Sequence, residues 1–377
     1  MEEKDNLPKT DVSRDGQKPV VQKKYTIGLL VSRSNKRVKK YLTGLLDLAD
    51  CCEDGVVVVF SLKGISRERQ VINGYLYNAS ERKWEPATFS IPDAIINRIS
   101  LKRKWVQYFE DTVGCNMINN FTFSKWDMYQ WLSKNPNFNK YLPLTQIITE
   151  PKVIIDFLEQ YKEGYIKPIN GSYGKGIYKI SKEDEIFKLD VSRDRKKTQS
   201  MYVNYEELTE YFRKICKRRN YIIQQVIDLY VVDRPVDFRL ITVKNGLGEW
   251  RDVGLLARKG VKGEIVSNTG VVKNGNSALQ NVLSIRRNEA IELRKKMIDV
   301  SLEAAKEMER YGGPNGNLGN LGFDLAIDRN KNLWIIEINH RNPRHRMAVD
   351  AGESGMYVQA NKLMMDFAIT LAKAEGQ

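Results

Sequence analysis

The chain has 377 residues, of which 42% are hydrophobic and 29% charged, and carries a formal net charge of +14. That length fits two or three packed subdomains, and that balance of apolar and charged residues excludes wholesale disorder. The longest apolar run near the N-terminus, residues 56–60, falls far short of the roughly 18 residues a membrane helix needs, so no membrane insertion is expected.

Residues 1–24 carry mixed charges with Pro8 and Pro19 and no apolar stretch. They read as a flexible, solvated tail rather than a signal peptide, which implies a cytoplasmic chain. Cys51, Cys52, Cys115 and Cys216 show no C-x-x-C spacing, and His340 and His345 are not placed with them as zinc ligands. Reduced, mostly buried thiols are expected. The positive excess would suit nucleic acid, an anionic surface or an acidic substrate, but much of it lies in short runs, 193–197 and 217–219, of the kind that forms solvated faces. No recognition motif accompanies it, so no specific nucleic-acid partner is expected.

In chain order, residues 25–31 read as a strand, a basic and apolar helix runs to about Asp50, and 56–60 read as a second buried strand. Residues 74–84 suggest an antiparallel excursion, and 91–99 enter the next element through Pro92. In 122–133, Ser124 followed by Asp127 forms a capping-box pattern that sets Lys125 in the first helical turn. A cation there opposes the helix dipole, so Lys125 is either simply solvated or faces a phosphate. Pro151 opens a helix with Ile154, Phe157, Leu158 and Tyr161 on one face and Gly164 at its close. A helix over 206–218 precedes a strand over 221–226, and 236–244 pair with 249–258 across Asn245 and Gly246. Helices over 287–311 and 354–374 bracket a final strand pair.

Two motifs carry chemistry. Gly171, Ser172, Tyr173, Gly174, Lys175 and Gly176 lie between two strand-like segments, where they could form a plain hairpin turn or present backbone N–H groups to an anion. Lys167, in the apolar strand 165–168, needs a partner if buried, and a phosphate would supply one. The second motif is GFDLAIDRNKNLWIIEINHRN, residues 322–342. Strands 322–328 and 333–339, joined by four polar residues, pair Asp328 with Leu333. The ladder then sets Asp324 opposite Glu337 and puts Phe323, Leu325 and Ile327 opposite Ile338, Ile336 and Trp334 on the core face. Asn339 projects beside Glu337. Two acids held about 5 Å apart at Cβ repel unless a cation lies between them, and hard oxygen ligands suit Mg²⁺ on nucleotide phosphates.

In this order, the lysine, the glycine loop and the D…E-x-N hairpin resemble the ATP-grasp superfamily, and the chain from residue 25 onward is similar to its YheC/YheD-like, endospore coat-associated group. The resemblance implies an α/β (α+β) ATP-grasp fold with a pre-ATP-grasp α/β domain over 25–118 and ATP-grasp subdomains over 119–219 and 220–377. It makes Lys125, Lys167 and the loop 171–176 ligands of ATP, and Gln225, Val226 and Ile227 the hinge that holds adenine. Asp324, Glu337 and Asn339 become Mg²⁺ ligands, and Arg239 and Arg258 face the transferred phosphate or the substrate, with Asn268 a weaker match. Gln225 stands where many relatives carry an acid, which shifts ribose recognition to Asp228 or weakens it. The run from His340 to Arg344 is more basic than usual, from an anionic substrate or a local salt bridge. The implied activity joins a small-molecule or peptide carboxylate to an amine through an acyl phosphate. A non-catalytic coat protein and a binder of anionic polymers are the alternatives.

Overall fold

Three sheets carry the chain in the computed structural model, which describes residues 25–374 except 172–174, 194–196, 218, 230–233, 263, 266, 268, 269 and 342. The tail 1–24, Ser172, Tyr173, Gly174, Arg218 and Asn268 therefore lie outside the described residues.

The first sheet comprises β1 (Thr26–Ser32), β2 (Val56–Ser61), β3 (Ile65–Ser66), β4 (Val71–Asn78), β5 (Lys83–Ser90), β6 (Ala94–Asn97) and β7 (Met117–Ile118). Its order is β3-β4-β2-β1-β6-β7, with β5 paired to β4. β1, β2, β6 and β7 run parallel, and β4 and β5 form the antiparallel excursion. Parallel strands covered on both faces need apolar residues at every position. Accordingly Leu29 and Val57 face one cluster while Leu30 and Phe60 face another. The single helix expected before Asp50 is instead four short turns. Gly44 lies among them, and Leu45 leaves the helical path at φ −112°, ψ −4°, so the weak helix propensity of glycine is not overcome by burial.

The second sheet comprises β8 (Thr145–Ile148), β9 (Glu163–Pro168), β10 (Tyr178–Glu183), β11 (Ile186–Arg193), β12 (Lys197–Val203) and β13 (Tyr221–Gln225), in the antiparallel order β12-β11-β10-β9-β13-β8. Helices Pro151–Tyr161 and Tyr205–Cys216 cover it, burying Ile154, Phe157, Leu208 and Phe212 against Ile166, Ile180 and Ile223. The Pro151 helix closes on Lys162, in the left-handed region at φ 60°, rather than on Gly164. Gly164 lies inside β9, where a Cβ would meet Ile223 of β13 at 3.0 Å and Phe157 of the helix at 3.2 Å, so its role is close packing of helix on sheet. The boundary expected at residue 219 falls before β13, which this sheet includes.

The third sheet comprises β14 (Val236–Lys244), β15 (Trp250–Lys259), β16 (Val271–Asn274), β17 (Asn320–Ile327) and β18 (Leu333–Asn339), in the order β16-β15-β14-β17-β18. One face packs Phe238, Leu240, Phe323 and Leu325 under helices Gly275–Leu283 and Arg287–Arg310, joined by Met128 and Leu132 of helix Lys125–Ser133. On the other face, Ile241, Val243 and Val253 lie under helix Ser354–Ala374, in one cluster with Ile27 and Leu29 of the first sheet. The rest of that face is charged and opens on a cavity. Among the described residues, no helix is long and apolar enough to cross a membrane.

Two glycines test this packing. A Cβ at Gly74 would sit 2.4 Å from the Val59 carbonyl oxygen, whereas one at Gly44 meets nothing within 4 Å. Gly74→Ala should cost about 1–3 kcal/mol and Gly44→Ala should gain about 0.4–1 kcal/mol. Urea melts of the two variants will therefore move in opposite directions.

Candidate functional site

A cavity of about 690 Å³ separates the second sheet from the third. Period-two alternation sends Phe238 and Leu240 of β14 to the core and Asp237 and Arg239 to the cavity. Strand register then aligns charges across the sheet. Asp237 is paired with Arg258 of β15, Arg239 with Asp324 of β17, and Asp324 with Glu337 of β18.

The last hairpin keeps the expected Asp324–Glu337 and Phe323–Ile338 pairs but reaches them differently. Ile327 pairs with Leu333 and Leu325 with Ile335, one step from the expected register, and a bulge after Asp324 absorbs the difference. The cause is Asp328, which leaves the pair with Leu333 to hold the turn. Its carboxylate accepts from the N–H groups of Asn330 (2.9 Å) and Asn332 (2.8 Å), from the Asn332 amide (3.0 Å) and from Trp334 Nε1 (3.0 Å). Ile336 is the extra residue, so it lines the cavity beside Glu337 rather than the core.

The aligned charges form a buried network. Arg258 donates to both Asp237 oxygens, at 2.6 and 2.5 Å, and reaches Asp324 Oδ2 at 2.9 Å. Arg239 Nε reaches Asp324 Oδ1 at 2.5 Å. Burial by itself raises the Asp324 pKa, but Arg239 and Arg258 outweigh it and hold the carboxyl at about 2. Burial likewise works against the Arg258 charge and is outweighed by Asp237 and Asp324, which raise its pKa above the ordinary value. Ser267 Oγ also donates to Asp237.

Lysines supply the opposite wall. The Ser124 capping box forms as expected, with the Asp127 N–H donating to Ser124 Oγ at 3.2 Å and the Ser124 N–H to Asp127 Oδ2 at 2.7 Å. It aims Lys125 into the cavity, where Nζ lies 2.9 Å from Glu337 Oε1 and 3.3 Å from the Gly171 carbonyl. Lys167 of β9 donates to Gln224 Oε1 at 2.6 Å, and Gln224 in turn donates to Thr145 Oγ1 at 3.0 Å. Burial pulls Lys167 down to about 8; Glu337 opposes that shift and Lys125 adds to it. Among the described residues its partners are this neutral amide and the Tyr165 ring, 5.2 Å away, and a buried amine so placed favours an anion.

Of the residues singled out in the sequence, Lys125, Lys167, Gly171, Lys175, Gln225, Ile227, Arg239, Arg258, Asp324, Glu337 and Asn339 line this cavity. Gly176, Val226 and Asp228 do not; Asp228 is exposed and pairs with Arg329 at 2.9 Å. Gln225 accepts from the Leu144 N–H at 3.3 Å and so fastens the entry to β8. His340 is buried and stacked on Phe123 at 3.9 Å, and burial, with Arg341 nearby, pushes it down to about 3. The sequence reading missed Asp237, Gln224, Met128 and Ile336. Asp237 had a signal, because it lies two residues before Arg239 on the same face.

Asp324, Glu337 and Asn339 offer hard oxygen atoms, with Asn339 Nδ2 3.3 Å from Asp324 Oδ2. Among the described residues, no group of three His, Cys, Asp or Glu side chains gathers here. Such a set fits Mg²⁺, which takes one or two carboxylates and completes its shell from phosphates and water, and does not fit a structural zinc site.

The Asp324 shift has a definite sign. Its carboxyl is depressed in the folded chain, so its contribution to stability is present above the unfolded value near pH 4 and disappears as pH falls toward 2. Asp324→Asn should cost about 3–5 kcal/mol at pH 7 by stranding buried Arg239 and leaving Arg258 with Asp237 alone. In urea melts that deficit should narrow between pH 4 and 2, and a constant deficit would show that the carboxylate charge is not what stabilises the fold.

Comparison with known proteins adds descent to this geometry. A family model described as YheC/D like ATP-grasp matches residues 114–371. The endospore coat-associated protein YheD of Bacillus subtilis (strain 168) is 28% identical over 305 residues, covering 77% of this chain and 65% of that protein, so the chain spans less than two thirds of YheD. The endospore coat-associated protein YheC of the same strain is 24% identical over 297 residues, covering 74% of this chain and 78% of that one. Among solved structures, D-alanyl-alanine synthetase A from Vibrio cholerae O1 biovar eltor aligns with a TM-score of 0.57 at 10% identity, over 93% of this chain and 98% of that chain, which is a likeness of fold. With α/β sheets closing on one cavity in the ATP-grasp manner and the family match covering well over half its length, the chain belongs to the YheC/D-like ATP-grasp family.

Proposed function

We propose that the chain is an ATP- and Mg²⁺-dependent carboxylate–amine ligase of the peptide-bond-forming type, releasing ADP and phosphate. One observation carries the reading: two lysines from the helix mouth and β9 face the Asp324–Glu337 pair across a single cavity, with arginines on the acid side. In this reading Lys125, Lys167, Lys175 and the glycine turn bind the phosphates. Ile227, Met128 and Ile336 offer apolar contact to the base, and Gln225 lies at the hinge. Asp324, Glu337 and Asn339 hold Mg²⁺, which when bound neutralises the terminal phosphate oxygens. Arg239 and Arg258 stabilise the charge spread over the transferred phosphoryl group, with Asp237 fixing the plane of Arg258.

The substrate carboxylate oxygen bonds to the γ-phosphorus as the bond to the ADP oxygen breaks. An amine nitrogen then bonds to the acyl carbon, phosphate departs and the amine loses a proton. Positioning and electrostatics carry both steps, and no Ser, Cys or His nucleophile takes part. We place this activity in the cytoplasm, and the names of YheD and YheC suggest an association with the spore.

A coupled ADP-release screen with pooled amino acids and short peptides should detect turnover, with a product that has lost water by mass spectrometry. Glu337→Gln should abolish both turnover and the melting shift produced by Mg·ATP. A wild type that is stabilised by Mg·ATP yet never releases ADP would support the non-catalytic coat protein instead.

Lys167 gives a second test. Below pH 8 Lys167 is charged in both the folded and the unfolded chain and the fold bears the cost of burying that charge, so without nucleotide stability rises as pH climbs from 8 toward its ordinary value near 10.4. A bound phosphate favours the protonated amine, so Mg·ATP affinity should be level below pH 8 and fall by up to about tenfold per unit above it. Lys167→Arg, charged throughout, should flatten that fall in calorimetric titrations; an unchanged profile would remove Lys167 from the phosphate contacts.

A further inference from the structure

The cavity extends past the end of β18 into a region that the nucleotide reading leaves unused. Arg341 and Arg344 follow β18, and Arg98 and Ser100 follow β6 of the first sheet; all four line the cavity. Arg341 donates to Ser100 Oγ, and Arg33 to the Ser100 carbonyl at 2.9 Å, so guanidinium groups from two sheets converge on one residue. Among the described residues, neither Arg341 nor Arg344 makes an ion pair. The lining acids Asp237, Asp324 and Glu337 are already engaged by Arg258, Arg239 and Lys125, which leaves Asp350 as the acid at this end. Arg341 is half-buried. His345 is held neutral, because burial and the neighbouring Arg239 and Arg98 push it down to about 3. The net charge here is positive and only partly solvated, an arrangement that an anion stabilises.

The position separates this anion from ATP. Lys167, Gly171 and Lys175 approach from the second sheet and Lys125 from a helix packed on the third, whereas Arg98 and Ser100 come from the first sheet. Arg341 lies two residues past the end of β18 and four from Glu337, which allows up to roughly 13 Å between them along an extended chain. We propose that this end of the cavity binds a second anionic group on the acid substrate, through Arg341 and Arg344 with Arg98 and Ser100 as the facing wall. The acid activated is then a dicarboxylate or a carboxylate bearing a phosphoryl-type group, both suited to guanidinium forks. The assignment rests on the ligase reading for the reacting carboxyl.

The test reads binding without turnover. Thermal melts of the full chain saturated with Mg·ADP are recorded with glutarate, 3-phosphonopropionate and butyrate. At least one dianion should raise the melting temperature where butyrate does not, and whichever binds more tightly identifies the second group as carboxylate or phosphonate. Arg341→Gln and the exposed Arg344→Gln should each weaken the dianion at least tenfold with the Mg·ADP shift intact, while Arg341→Lys should keep the preference over butyrate. Arg344→Gln decides alone if Arg341→Gln fails to fold. The proposal is overturned if no dianion outperforms butyrate, if the variants bind dianions as the wild type does, or if they lose the Mg·ADP shift in parallel. A chain that binds the dianion through these arginines but releases no ADP overturns the ligase reading and leaves the anion site standing.

Discussion

The site depends on strand register in the third sheet. Once Val236–Lys244 lies between its two neighbours, Asp237 must face Arg258, and Arg239 must face Asp324, which faces Glu337. Two aspartates and two arginines are thereby taken out of water together, a costly step that geometry makes tolerable because each carboxylate oxygen of Asp237 and Asp324 meets a guanidinium N–H. A slip of one residue would turn these ions into the apolar cluster around Phe238 and Phe323. The register is thus specified twice, by what the core accepts and by what the cavity face must pair.

Much of this was legible because it is local. A capping box needs two residues three apart, and the Ser124–Asp127 pair places Lys125 without tertiary information. A short polar turn between alternating strands puts Asp324 opposite Glu337 from sequence alone. The bulge was not legible, because it follows from Asp328 exchanging a ladder position for four hydrogen bonds inside the turn. Two compensating shifts left the functional pair where the simple ladder puts it.

Other features depend on partners distant in the chain. Lys167 was read as a strand lysine in need of an anion, but its present partner is Gln224, 57 residues away. The break in the helix before Asp50 and the closure of another on Lys162 turn on one residue each, where propensity is too weak to decide. β11 alternates cleanly, with Phe187, Leu189 and Val191 on the apolar face, but that β12 pairs with it and that both continue the edge offered by β10 is decided by the assembled sheet. The meeting of Ser100 with Arg341 spans 241 positions and becomes visible only when the first sheet is laid against the third.

Helix Ser354–Ala374 buries its apolar residues in one cluster with strands of both the first and the third sheet, whereas the cluster beneath the second sheet draws, among the described residues, on 144–223. The first and third sheets therefore share a single oily seam, and pulling them apart would wet it. The second sheet carries its own insulation. It can swing as a jaw over the opening with its own apolar cluster intact, so Lys167 on β9 is the lysine free to travel, while Lys125, on a helix packed into the core of the third sheet, stays with the arginine–aspartate lattice that forms the fixed anvil.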